Sequence, residues 1–200
     1  MFFCFSVSLL SGSEYLYIFM QTNKGMIQIF TGNGKGKTTA ALGTLIRAAA
    51  KGKKVGIIYF DKGGEHYSER KILFEKFPEI DVVVTGLERI DSKTGHFRFG
   101  VIEKDKMEAR RGLAIAGYWI LKKDYDLVVL DEINTSISLG MLEESLFLEI
   151  LKNKPARVEI ICTGRSASDK LKEIADLVTE MKLEKHYFYQ GVPAREGIDF

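Results

Sequence analysis

From Met26 onward, short apolar runs alternate with longer amphipathic stretches. Ile27–Phe30 has the pattern of a buried strand, and Lys37–Lys51 reads as an alanine-rich helix closed by Gly52. Lys54–Phe60 is a second strand that runs into the polar turn Asp61-Lys62-Gly63-Gly64. Glu69–Phe77 is helical up to Pro78, and Asp81–Val84 is a third strand. Thr85–Gly100 has no periodicity and is rich in Gly, Arg and aromatics; loops that long in a compact domain are usually functional or mobile. Glu103–Lys123 is a strong helix, with Ala109, Leu113, Ala116 and Ile120 recurring on one face. Asp126–Asp131 is an apolar strand capped by acids. Leu142–Lys152 is a helix, and Arg157–Cys162 is a strand ending in Thr163-Gly164-Arg165. A short helix over Ala167–Ala175 and a last strand over Leu177–Met181 precede an aromatic, irregular tail, 182–200.

Strands buried on both faces and separated by helices predict a parallel α/β sheet in three layers. Ligands of such sheets sit beyond the carboxyl ends of the strands. That places Thr31–Thr39, Asp61–Gly64, Asp131–Asn134 and Thr163–Arg165 around one site.

The first of these turns carries the chemistry. Gly32-Asn33-Gly34-Lys35-Gly36-Lys37-Thr38-Thr39 follows an apolar strand and opens a helix, which is the context of a phosphate-binding loop. Glycines let backbone N–H groups converge on phosphate oxygens, and the helix N-terminus adds unsatisfied donors and a favourable dipole. Lys37 offers a point charge to the outer phosphates, and Thr38 offers a hydroxyl to a bound Mg²⁺. In the pattern G-x-x-x-x-G-K-[ST] the first glycine belongs at Thr31; it comes one residue late, at Gly32. The acids Asp131 and Glu132 are the expected partners, one carboxylate holding Mg²⁺ and the other orienting water or supporting the first. Lys62 is read either as a cation reaching a phosphate or substrate carboxylate, or as part of a solvated turn. Arg165 either neutralises a triphosphate or caps the next helix. His66, His96 and His186 have no metal-ligand spacing, and Trp119 is a core position in the long helix. No general base or nucleophile is left over, so an enzyme here needs a substrate that is itself the nucleophile, or uses Glu132 to position water.

Composition narrows the classes. Two hundred residues suit one α/β domain, and a net charge of +2 without a long basic block argues against a nucleic-acid surface. Lys51–Lys54 and Arg110-Arg111 are read as solvated helix ends. Two cysteines, Cys4 and Cys162, are too few for a zinc ribbon or a disulfide framework and point to a reducing, cytoplasmic setting. Residues 1–25 are apolar and aromatic, lack a basic signal region, and are broken by Ser11–Glu14, too early for a membrane span. They read as an extra element, a membrane-proximal tail, or codons upstream of a start at Met20 or Met26, the last being preferred. The domain proper is taken as 26–200.

Several motifs in order resemble the P-loop ATP:corrinoid adenosyltransferases: Thr31-Gly-Asn-Gly-Lys-Gly-Lys-Thr-Thr39, Tyr59-Phe-Asp-Lys-Gly63, Val128-Val-Leu-Asp-Glu-Ile133, Thr163-Gly-Arg165, and the stretch from Ala175 to Phe200. The late glycine also fits that family's loop. The resemblance implies a P-loop NTPase fold of the RecA-like kind. It implies a reaction in which a reduced cob(I) corrinoid attacks C5′ of ATP, forming a cobalt–carbon bond and releasing triphosphate. ATP would lie reversed in the loop. Lys37, Thr38 and Glu132 would be catalytic, residues 32–39 with Lys62 and Arg165 would bind ATP, and Thr38, Asp131 and Glu132 would hold Mg²⁺ or Mn²⁺. The protein would be a homodimer, fed by a flavoprotein reductant. Some members carry a Phe-x-Trp pair after the third strand that packs by the corrin; here that stretch is Thr85-Gly-Leu-Glu-Arg89, and Phe97 and Phe99 follow it. The rival readings are a regulatory or motor ATPase and a nucleoside kinase; a thymidine-kinase-like protein would want zinc cysteines that are lacking.

Overall fold

The structure is a computed structural model that describes residues 24–89, 94, 96 and 98–199. The expectations for residues 1–23, Phe97 and Phe200 therefore lie outside the described residues. Among the described residues six parallel strands form one sheet: β1 Ile27–Thr31, β2 Val55–Tyr59, β3 Ile80–Val84, β4 Leu127–Asp131, β5 Glu159–Thr163 and β6 Leu177–Glu180, in the order β3-β2-β4-β5-β1-β6. The acid-capped strand β4 is thus separated from the loop strand β1 by β5. The helices are α1 Lys37–Ala49, α2 Ser68–Lys76, α3 Glu103–Lys122, α4 Ile133–Ser138, α5 Glu144–Lys152 and α6 Asp169–Ile174. A 3-10 turn spans Tyr187–Gln190.

Alternation within the strands sorts the core into two halves. Leu127 and Val129 of β4 face a cluster with Ala41 and Leu45 of α1 and Leu73 of α2. Val128 and Leu130 face the opposite cluster, with Leu113, Ala116 and Ile120 of α3 and Phe147 of α5. Residues along a strand point to opposite faces, so a strand covered by helices on both sides must be apolar throughout. All five residues of β4 are buried, and all five of β2. Trp119 is a core residue, as expected, stacked on Tyr125 with centroids 4.7 Å apart. Cys162 is also fully buried, which pushes its thiol pKa up to about 12.

Two expectations fail. β6 is not buried on both faces: Leu177, Val178, Thr179 and Glu180 are all exposed. It is an edge strand with β1 as its sole strand neighbour among the described residues. A helix, α4, follows the acidic pair directly, where no helix was expected. Its six residues, Ile-Asn-Thr-Ser-Ile-Ser, are mostly weak helix formers and too few to show a period.

Candidate active site

The four predicted turns do converge at the carboxyl ends of the strands. They border a cavity of about 780 Å³ lined by Asn33, Gly34, Lys35, Gly36, Lys37, Thr38 and Thr39, and across from them by Lys62, Glu132 and Arg165. Gly32 and Asp131, both expected at the site, do not line the cavity; Asp131 is fully buried and paired with Lys62.

The displaced glycine has a local cause. Thr31 is still sheet: its carbonyl accepts from Met181 N–H at 2.8 Å, and its hydroxyl accepts from Ala167 N–H at 3.2 Å. The chain turns only at Gly32, with φ 93°, where a Cβ would lie 2.5 Å from the Met181 carbonyl oxygen. The arrival of β6 beside β1 therefore moves the turn one residue along. Gly34 makes the next close approach, donating to Met181 O at 2.6 Å, with no room for a Cβ against Met181 and Lys182. α1 then starts at Lys37, with no acidic side chain in its first turn to compete for its free N–H groups. Lys37 curls over the loop, donating to Gly32 O at 2.8 Å and Gly34 O at 2.7 Å. Burial pushes its pKa down, with Glu132 opposing.

The acids are aimed by β5. Thr163 Oγ1 donates to Asp131 Oδ1 at 2.6 Å and accepts from Glu132 N–H at 3.0 Å. Glu132 itself adopts a left-handed backbone, φ 62°. Its carboxylate accepts from Thr135 Oγ1, which in turn accepts from Arg165 N–H at 3.0 Å. Lys62 belongs to this site and not to a solvated turn. Its side chain is 13% exposed, 2.5 Å from Asp131 Oδ2, and donates to Thr38 Oγ1 at 3.1 Å. Burial works against its charge, but Asp131 and Glu132 hold its pKa above the ordinary lysine value. Arg70 of α2 fixes the turn beneath it by donating to the carbonyls of Lys62 and Gly64.

A second cavity, of about 420 Å³, opens on the far side of Lys62, Tyr67, Glu132 and Arg165 and is bounded by Asp61, Leu87 and Arg89. Arg89 Nε donates to both Asp61 oxygens, at 2.9 and 3.1 Å, and its Nη1 donates to Gly100 O at 2.7 Å. Arg98 reaches the buried Asp105 from the same loop, at 2.7 and 2.9 Å. Burial raises the Asp61 pKa, and Arg89 counteracts it. Phe99 is 85% exposed and does not border this cavity.

Sequence reasoning missed the opposite wall of the first cavity. His186, Tyr187, Phe188, Val192, Ile198 and Asp199 line it. Thr163, Thr135, Arg70 and Arg89 were missed as supports. Thr163 and Arg89 reach partners 32 and 28 residues away and leave no local signature, whereas Thr135 reaches Glu132, and Arg70 the carbonyls of Gly64 and Lys62, within three to eight residues, from positions outside any motif.

Phosphate loop, helix N-terminus and acid-capped strand together define a P-loop nucleotide-binding protein of the α/β class. A family model described as ATP:corrinoid adenosyltransferase BtuR/CobO/CobP matches residues 23–200. The corrinoid adenosyltransferase of Escherichia coli (strain K12) is 36% identical over 180 residues, covering 90% of this chain and 88% of that protein. That of Pseudomonas aeruginosa is 35% identical, covering 88% and 84%. The corrinoid adenosyltransferase CobA of Salmonella typhimurium is 35% identical, covering 90% and 88%. The chain belongs to the ATP:corrinoid adenosyltransferase family. Membership makes it a transferase acting on ATP and a corrinoid, and nothing in the comparisons favours the motor or regulatory ATPase. Among the described residues, no helix is long and apolar enough to cross a membrane.

Proposed function

We propose that the first cavity holds ATP and the second receives the corrin, so that C5′ meets cobalt beside Lys62, Glu132 and Arg165. The observation that carries this reading is the shared wall: two adjoining cavities meet at three charged side chains, and only one of them is lined by the phosphate loop. A transfer between two substrates needs such a pair of sites, whereas hydrolysis needs one. In the reaction, the cobalt lone pair of cob(I) forms a bond to C5′. The C5′–O bond breaks, its electrons leave on triphosphate, and cobalt rises formally by two oxidation units. The nucleophile comes with the substrate, so the protein's task is alignment and stabilisation of the leaving group.

Lys37 and the loop amides neutralise the departing triphosphate. Lys62 and Arg165 add charge where the two cavities join. Loop residues 32–36 and Thr39 shape the phosphate cradle.

The donor set fits a hard divalent cation, one hydroxyl and two carboxylates, and the Lys62 ammonium already bridges the hydroxyl of Thr38 and the carboxylate of Asp131. Thr38 and Glu132 would hold Mg²⁺ or Mn²⁺, with Asp131 behind them, and the ion would add positive charge at the phosphates. The family resemblance supports the wider reading: a cytoplasmic homodimer with 26–200 as its working domain, receiving reduced corrinoid from a flavoprotein.

ATP incubated with a chemically reduced corrinoid should yield a light-sensitive alkyl-cobalt spectrum and intact triphosphate. ADP and phosphate without a spectral change would overturn the proposal.

A further inference from the structure

The phosphate loop carries two lysines, and they point in opposite directions. Lys37 folds back over the loop. Lys35, flanked by Gly34 and Gly36, reaches outward to the far end of the chain. Its ammonium donates to Ile198 O at 2.5 Å, pairs with the Asp199 carboxylate, and lies 3.5 Å from the Tyr187 hydroxyl. Asp199 is the hub of this contact. It also accepts from the Tyr187 hydroxyl, from Arg195 Nε at 3.1 Å and from Arg195 N–H at 3.0 Å. The Arg195 guanidinium lies over the Tyr187 ring, 4.6 Å from its centroid. These donors, Lys35 first and then Tyr187, hold the Asp199 pKa well below the usual carboxylate range. The other side of the same loop is gripped by backbone, through Gly34 N–H on Met181 O. One C-terminal segment therefore holds the phosphate loop at two points, and the residues between those points form a wall of the nucleotide cavity.

We infer that Asp199 is a positioning residue: its carboxylate latches residues 182–199 onto Lys35, and the latch sets how tightly the nucleotide is held. This rests on the nucleotide reading of the loop. An ion pair whose lysine is 46% exposed adds little to global stability. Its leverage is local, because without it the segment that carries Tyr187, Phe188 and Ile198 keeps on the phosphate loop, among the described residues, the Met181 end and the weaker Lys35 contacts to Ile198 O and the Tyr187 hydroxyl. The chemical step, at Lys37 and Thr38, does not involve these contacts. Breaking the latch should therefore weaken capture of ATP and spare turnover.

Asp199→Ala and Asp199→Asn in the full chain provide the test, with Kd for Mg-ATP from titration calorimetry and steady-state kinetics with reduced corrinoid. The latch predicts that Kd and KM for ATP rise about 5- to 10-fold while kcat stays within about twofold. The corrinoid KM should stay within about twofold, and the melting temperature within about 2 °C. Asp199→Glu should recover most of the loss. Lys35→Ala should raise the same KM, and the double variant should be no worse than the worse single one, because the two residues act as one contact. ATP binding unchanged in a folded Asp199→Ala variant, fully additive losses, or a fall in kcat at constant KM would each overturn the latch. If Asp199→Ala fails to fold, Asp199→Asn decides, since it keeps the shape and removes the charge. A wild-type chain that binds no ATP would overturn the nucleotide reading itself, and the latch with it.

Discussion

The cavity proposed to hold ATP has two walls of opposite construction. One is built from the ends of β1, β2, β4 and β5, and the other from residues 181–199. β2 and β4 are buried along their whole length, and the three non-glycine residues with left-handed backbone among those described, Asp61, Glu132 and Ser166, lie just past β2, β4 and β5. Such conformations cost on the order of 1–3 kcal/mol each and persist only where the surroundings over-determine them. The second wall continues from an exposed edge strand into a 3-10 turn and is tied to the phosphate loop by the Lys35–Asp199 pair and by Gly34 N–H on Met181 O. Rigid strand ends suit groups that must meet a departing charge with little reorganisation. A wall held by a few side-chain contacts suits capture and release. The contrast predicts that damage to the first wall appears in kcat, and damage to the second in the affinity for ATP.

The largest effect should come from Lys37→Ala. In the proposed reading its partner is a ligand phosphate, so kcat/KM should fall about 100-fold or more with the melting temperature nearly unchanged. A variant that adenosylates normally would show that the first wall is wrongly identified.

Gly32→Ala strikes the junction of the two walls. The new Cβ would lie 2.5 Å from Met181 O at a backbone with φ 93°, so about 1–3 kcal/mol of stability should be lost together with ATP affinity. Urea unfolding and ATP titration measure both, and a fully stable variant with intact binding would break the account of the displaced glycine.

Thr163→Val removes the hydroxyl that holds Asp131 and Glu132. About 1–2 kcal/mol of stability and several-fold in kcat should be lost, with KM for ATP little changed. An effect confined to KM would reverse the assignment of the walls.

The smallest effect is a pH dependence. Burial holds the pKa of Lys37 below the ordinary 10.5, so its cation is lost at a lower pH than that of an exposed lysine. kcat/KM for ATP should fall as pH rises through that value, and Lys37→Arg should move the fall upward. Lys62 shifts the other way. Its folded pKa is above 10.5, so its stabilising contribution is complete below that pH and is lost only as pH rises through the higher value. A profile unmoved by Lys37→Arg would assign the alkaline limb elsewhere.

Much of the first wall was legible in the chain, because its parts are local. Ile27–Phe30, the glycine turn and Lys37 occupy one continuous stretch, and the burial of β4 on both faces writes Leu127–Leu130 as an unbroken apolar run. Lys62 was ambiguous, since its partner Asp131 lies 69 residues away. α4 was invisible, being short and poor in helix formers, and its position follows from Glu132 turning the chain at φ 62°. The exposure of β6 was also hidden. Thr179 and Glu180 are polar where a strand covered on both faces would be apolar, but four residues are too few to read, and the strand order is what places it at an edge.

The sequence by itself determined a parallel α/β sheet, a phosphate-binding loop, the acidic pair expected to serve it, and the kinship to corrinoid adenosyltransferases. Those features rest on short-range periodicity, on glycines at fixed offsets and on motif order, all of which survive as one-dimensional patterns. The tertiary structure decided the rest: why the glycine is displaced, which lysine serves the acids, that two cavities share a charged wall, and that Asp199 returns to Lys35 across 164 residues. Each depends on which strand ends and loops become neighbours. That is fixed by burying both faces of the sheet, and it leaves no mark on adjacent residues.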